Sequence, residues 1–175
     1  GKTTIAKDVF GDDYVSGQQY SAASVIDDMP QKKSVKEITK AFTSVGFASP
    51  PSWLKPYSVL SNGEKMRCDL ARAILEERPV VVFDEFTSVV NREVAKTGSF
   101  AIQKAVRKMG RKFVAVACHS DIIDWLQPDW IYNTDEQRFF FALANTNDPQ
   151  SRYRSSGLAT SIRSEFGKYS GSITI

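Results

Sequence analysis

The chain has 175 residues, 42% hydrophobic and 25% charged, and its 23 basic and 20 acidic side chains leave a formal charge of +3. That length supports one well-buried core, and the composition is that of an ordinary globular protein. It argues against a disordered or membrane-inserted chain, since no apolar run approaches the roughly 20 residues needed to cross a bilayer. So small a charge leaves nucleic acid possible as a partner but does not indicate it.

Gly1 and Lys2 stand at the start of a helix expected over residues 3–10, which Gly11 stops. A short strand over 13–15 follows, then a polar loop with Gln18, Gln19, Ser21 and Ser24. Ser34 and Glu37 have the spacing of a capping box, and Val35, Ile38, Phe42 and Val45 recur at helical intervals until Gly46. Pro50, Pro51 and Pro56 around Trp53 predict an irregular, stiff connection. Ser61 and Glu64 repeat the capping pattern and open a helix with Met66, Leu70, Ala73 and Ile74 on one face and Pro79 at its end.

The run Val80–Phe83 is apolar without alternation, as in a parallel strand covered on both faces. Asn91 caps a long helix through Lys108 that turns Val94, Ile102, Ala105 and Met109 inward and stops at Gly110. A strand over 112–117, a short helix over 121–126 and a strand over 129–133 complete the pattern. Strand and helix alternate, which predicts an α/β fold with a mainly parallel sheet flanked by helices. Beyond residue 134 the pattern weakens: Phe139–Phe141 reads as an edge strand, 145–157 as linker, and the remainder carries no periodicity. The expected organisation is one domain over 1–134, with 135–175 holding the edge strand and a linker or the start of a second region. Cys68 and Cys118 read as reduced core thiols, and a single histidine leaves no His/Cys metal site.

Backbone N–H groups at a helix N-terminus attract anions, and an adjacent lysine adds a full charge. Gly1, Lys2 and Thr3 therefore suit the β- and γ-phosphates of ATP, with Thr3 as a ligand of Mg²⁺, although alone such a string is more often an ordinary helix start. Asp84 ends a buried strand at the edge where open α/β sheets bind ligands, and there it can hold Mg²⁺. Glu85 can take a proton from an attacking water or orient it. His119 closes a second strand and can bond the γ-phosphate or that water, against the commoner reading of a satisfied structural histidine. Ser61 and Gly63 at a helix start make a second phosphate-recognising surface, which also reads as a simple cap.

Taken in order, these parts resemble the ATP-binding cassette (ABC) family over residues 1–135. Gly1–Thr4 resembles the end of its Walker A loop, with Thr4 included in the cofactor-binding set, and Leu60-Ser61-Asn62-Gly63-Glu64 resembles its Leu-Ser-Gly-Gly-Gln motif. Val80–Glu85 resembles its Walker B strand and catalytic glutamate, Thr87–Asn91 its D-loop, and His119 its switch histidine. The resemblance implies a P-loop NTPase fold and an ATP hydrolase that uses ATP and Mg²⁺. Two cassettes would pair head to tail, most simply as a homodimer, each sandwiching ATP between its own Walker residues and the partner's Ser61, Asn62 and Gly63.

Asn62 and Glu64 replace a glycine and a glutamine of the family motif, and Asn91 stands for an aspartate. Gln18, Gln19 and Gln31 are equal candidates for the Q-loop glutamine. Lys2 and Ser61 are 59 positions apart (61 − 2), which implies a reduced helical subdomain. That shortening favours a cytoplasmic, soluble ABC ATPase driving conformational change in a macromolecular partner over the nucleotide-binding subunit of a membrane transporter. The strings LSNGEKMRCDLARAIL and FDEFTSVVNREVAK also resemble stand-alone bacterial or phage-borne ABC ATPases, some joined to an acetyltransferase-like region. The chain is expected to be an N-terminally truncated piece, lacking the first strand and the start of the loop. A nucleotide-dependent switch without turnover is disfavoured by Glu85, and a chromosome-organising ATPase by the absence of a heptad run.

Overall fold

The computed structural model describes residues 1–15, 18–78, 80–143, 152–158 and 173–174. Within them one sheet contains β1 (Tyr14–Val15), β2 (Val80–Phe83), β3 (Lys112–Ala115), β4 (Trp130–Asn133), β5 (Arg138–Ala142), β6 (Tyr153–Leu158) and β7 (Ile173–Thr174). The spatial order is β1-β2-β3-β7-β4-β5-β6. Neighbours are parallel from β1 through β4, and β5 and β6 are added antiparallel. This is the mainly parallel arrangement that the alternating elements predict.

Successive residues of a strand point to opposite faces, so a strand that is apolar throughout needs cover on both sides. Val81 and Phe113 face one cluster, with Leu70 and Ile74 of α4 (Asn62–Leu75) and Ile102 and Val106 of α5 (Arg92–Met109). Ile38 and Phe42 of α2 (Val35–Ser44) extend it. Val82, Val114 and Val116 face the other side, where they pack with Ala6 of α1 (Lys2–Phe10) and with Trp130, Tyr132 and Phe139.

The helix ends follow local chemistry. Ser34 Oγ accepts from Glu37 N at 3.3 Å, and the Glu37 carboxylate accepts from Ser34 N at 2.8 Å, completing the capping box of α2. Asn91 Oδ1 accepts from Val94 N at 2.9 Å to open α5, and Gly110, at φ 64°, closes it in the left-handed conformation that favours glycine. Among the described residues, no helix is long and apolar enough to cross a membrane.

Several sequence-based expectations are corrected. Val35 and Met109 are 65% and 41% exposed, because each lies in a terminal turn beyond the face its helix buries. The proline-rich connection forms a single helical turn, α3 (Pro50–Trp53), since proline at a helix start forfeits no internal hydrogen bond. Cys68 is buried as expected, but Cys118 is exposed beyond the end of β3. Helix α4 ends at Leu75, and Glu77 adopts φ 55°; Pro79, expected to end it, lies outside the described residues. β5 is not the edge of the sheet, because β6 pairs outside it. Residues 153–157, expected as linker, lie within β6, and 145–151 lie outside the described residues. The segment Tyr153–Leu158 lacks an apolar pattern, and backbone pairing with β5 places it instead.

Candidate functional site

Of the sequence-derived candidates, Asp84, Glu85 and Asn62 come together where β2 ends. Glu85 and Thr87 take φ of 51° and 65°, and a β-branched threonine is rarely found there. Phe86 between them is fully buried; its N–H donates to Val116 O at 2.9 Å, and its ring meets Phe83 and Phe113 edge-on at 5.9 and 5.7 Å. The aromatic anchor thus holds a sharp turn that leaves Asp84 half-buried and Glu85 exposed. Asp84 accepts one hydrogen bond from Glu85 N at 2.9 Å and a second from the Tyr14 hydroxyl on β1.

A crevice of about 370 Å³ opens over this turn. Asp84, Glu85 and Ser88 line it from the β2 end, Asn62 and Lys65 from α4, and Gln18 from the loop after β1. Gln18 Nε2 and Thr87 Oγ1 are buried without a partner among the described residues. Buried polar atoms are normally satisfied, so these two are exceptions in the residues that wall the crevice. No group of three or more His, Cys, Asp or Glu side chains that could cage a metal occurs among the described residues. The donor set nevertheless fits Mg²⁺ brought by a phosphate, because that ion commonly uses one or two carboxylates and fills its other positions with phosphate oxygens and water.

The other sequence-derived candidates do not line this crevice. Gly1 caps α1 without a side-chain hydrogen bond, and the first internal bond is Ile5 N to Gly1 O at 3.1 Å. The N–H groups of Lys2, Thr3 and Thr4 therefore lie at the open end of the helix. α1 leads within a three-residue 3₁₀ turn into β1. His119 is exposed, two residues before Asp121, whose Oδ2 accepts from Arg92 Nε at 2.7 Å.

Ser61 caps α4 and is exposed, and its local bonds are with Glu64. Its hydroxyl donates to Glu64 Oε2 at 2.8 Å and accepts from Glu64 N at 3.3 Å. The Ser52 hydroxyl donates to Glu64 Oε1 at 2.6 Å. These hydrogen bonds, that from Ser52 foremost, hold the Glu64 carboxyl below its usual value. Asn62 Nδ2 instead reaches back to Val89 O at 3.3 Å, tying the start of α4 to the segment after the acidic turn.

Gly63 sits at the contact between the first turns of α4 and α5. A Cβ built there would lie 2.9 Å from Val94 Cγ1, a branched side chain with little freedom in a helix. Gly63→Ala is expected to cost about 1–3 kcal/mol through overpacking and to pull Asn62 away from Val89. Chemical denaturation measures the first effect, and the Asn62 side-chain amide resonance reports the second.

Sequence reasoning left Gln18 among three equal candidates and passed over Tyr14. The signal was present in the order of elements. β1 is parallel to β2 with Val15 opposite Phe83, so residues just after β1 must emerge beside Asp84. Gln18 meets that condition; Gln19 and Gln31 do not line the crevice.

No protein-family model matches the chain. Over 78 residues it is 37% identical to an ABC-type transporter, MDR1, of Aureobasidium melanogenum, covering 45% of this chain and 6% of that protein. Over 81 residues it is 36% identical to the ABC multidrug transporter MDR2 of Trichophyton interdigitale, covering 46% and 6%. The matched stretch is thus a small fraction of these curated relatives. Among solved structures, the ATP-binding cassette MJ0796 as a post-hydrolysis dimer with ADP and Pi superposes with a TM-score of 0.54 at 14% identity, covering 66% of this chain and 55% of that one. A bacterial Atm1-family ABC exporter with ATP bound gives 0.53 at 21%, covering 68% and 23%. The chain thus shares the α/β fold of these ATP-binding cassette structures.

Proposed function

We propose that this domain binds and hydrolyses Mg²⁺-ATP as one half of a head-to-tail pair of copies. The reading is supported by the crevice at the end of β2, which Asp84 and Glu85 line together with Gln18, Asn62 and Lys65. Lys2 and the N–H groups of Gly1–Thr4 cradle the phosphates, and Thr3 and Asp84 hold Mg²⁺, which when bound neutralises phosphate charge. Glu85 takes the proton of the attacking water, and His119 hydrogen-bonds the terminal phosphate. Ser61, Asn62 and Gly63 of one copy complete the site of the other, for which the Ser61 hydroxyl turns away from Glu64. ATP-driven pairing and opening then biases two arrangements of an attached macromolecular partner. A second reading, as the nucleotide-binding part of a membrane transporter, is favoured by the 36–37% identity to fungal transporters; co-purification with a membrane-spanning partner would decide for it.

The pairing is testable by complementation in the full-length protein. Glu85→Gln removes the base, and Ser61→Asp keeps a helix cap while placing negative charge against a phosphate. Each variant alone is expected to be inactive. A head-to-tail dimer containing one of each has one intact composite site, so an equal mixture should recover about one quarter of wild-type turnover. No recovery would sink the composite site.

A further inference from the structure

Helix α4 carries an aspartate, Asp69, eight residues past Ser61, and the crevice wall includes it. Its Oδ1 accepts from the Tyr20 hydroxyl and its Oδ2 from the Tyr57 hydroxyl, each at 2.8 Å. The two phenol rings are stacked, with centroids 4.0 Å apart and planes 5° from parallel. Arg72 lies 4.9 Å over the Tyr20 ring and Lys65 5.6 Å over the Tyr57 ring. Burial raises the Asp69 carboxyl, while the two phenols and these cations pull it back. Burial pushes both phenols up, so each keeps its proton at neutral pH.

The Tyr20 oxygen has further contacts. The Cys68 thiol, which burial pushes up to about 12, donates to it at 3.7 Å, and the Gln18 amide stands 3.0 Å away. Tyr20 has one proton to give. Once Asp69 takes it, only lone pairs remain for Gln18, and those pair with the amide nitrogen. With Oε1 toward Tyr20, Nε2 is left buried and unpartnered among the described residues. A half-turn of the amide removes the conflict at Tyr20, because Nε2 then donates to it, and leaves an acceptor rather than an N–H₂ group in the buried position.

We infer that Asp69 is a positioning residue: by claiming the Tyr20 proton, it turns the Gln18 amide so that Nε2 bonds Tyr20, and so fixes the orientation of Gln18 in the wall of the crevice that Asp84 and Glu85 also line. This rests on that crevice being the reaction site. Because Asp69 and Ser61 ride on one helix, about 12 Å apart along its axis, a shift of α4 is passed to Gln18.

Two readouts on the full-length protein test this. In ¹⁵N-edited NMR, the Gln18 side-chain amide protons should show cross-peaks to the Tyr20 ring in the wild type and in Tyr57→Phe, and should lose them in Asp69→Leu, which has no acceptor for the Tyr20 proton. A wild type without these cross-peaks, or a folded Asp69→Leu protein that keeps them, overturns the proposal whatever the turnover. In ATPase assays, Asp69→Leu and Tyr20→Phe should each lower kcat about tenfold, with KM for ATP within about twofold and Tyr57→Phe near wild type, as expected for a misplaced group that contacts no substrate. Asp69→Leu combined with Gln18→Ala should be no slower than Gln18→Ala alone. Additive losses would make Asp69 merely structural and overturn the proposal. Cross-peaks that behave as expected, with turnover unmoved even in Gln18→Ala, would uphold the positioning and refute the crevice as the reaction site.

Discussion

Glu85→Gln in the full-length protein is expected to lower ATP turnover by about 10²–10⁴-fold, the range for loss of a positioned general base, while leaving ATP-dependent pairing intact. The substitution keeps the side chain's size and removes only its ability to take a proton. Glu85 is exposed, so burial does not complicate the exchange. Its backbone already occupies φ 51°, held by the buried Phe86 next to it. The amide should therefore sit where the carboxylate sat. Bound nucleotide then persists on paired domains, which size-exclusion chromatography with and without ATP would detect. Turnover within threefold of wild type would remove Glu85 from the base role and return the acidic turn to an ordinary strand end.

The largest stability effect is expected at Phe86, which is 0% exposed and packed edge-on between Phe83 and Phe113. Phe86→Ala should cost about 3–5 kcal/mol. Against a total at the low end of the usual range of about 5–15 kcal/mol, that is enough to leave a sizeable unfolded fraction at 37 °C. Phe86→Leu, which keeps most of the volume, should cost less than about 1.5 kcal/mol. Urea midpoints for the two variants measure the difference. The alanine variant should also lose activity beyond its loss of folded protein, because the same ring fixes the turn carrying Asp84, Glu85 and Thr87. Equal stability of the two variants would mean that the ring is not the anchor its contacts describe.

The regular elements were legible because their signals are local. The capping boxes at Ser34 and Ser61, the Asn91 cap and the Gly110 stop each involve side chains and backbone within a few residues, and all form as the sequence predicts. The unbroken apolar run Val80–Phe83 likewise announced a strand covered on both faces. β6 and β7 were not legible, because their backbone partners on β5, β3 and β4 are distant in sequence or weakly patterned.

The sequence by itself determined the element types, the helix starts at Ser34, Ser61 and Asn91 and the acidic pair at a strand end, since each depends on near neighbours or on periodicity. Only the tertiary structure decided that Gln18 rather than Gln19 or Gln31 enters the acidic crevice, that Tyr14 donates to Asp84, and that Asp69 joins two tyrosines behind it. Those contacts join residues 12 to 70 positions apart, where no local pattern links the partners and the register of β1 on β2 and the seating of α4 determine which side chains meet.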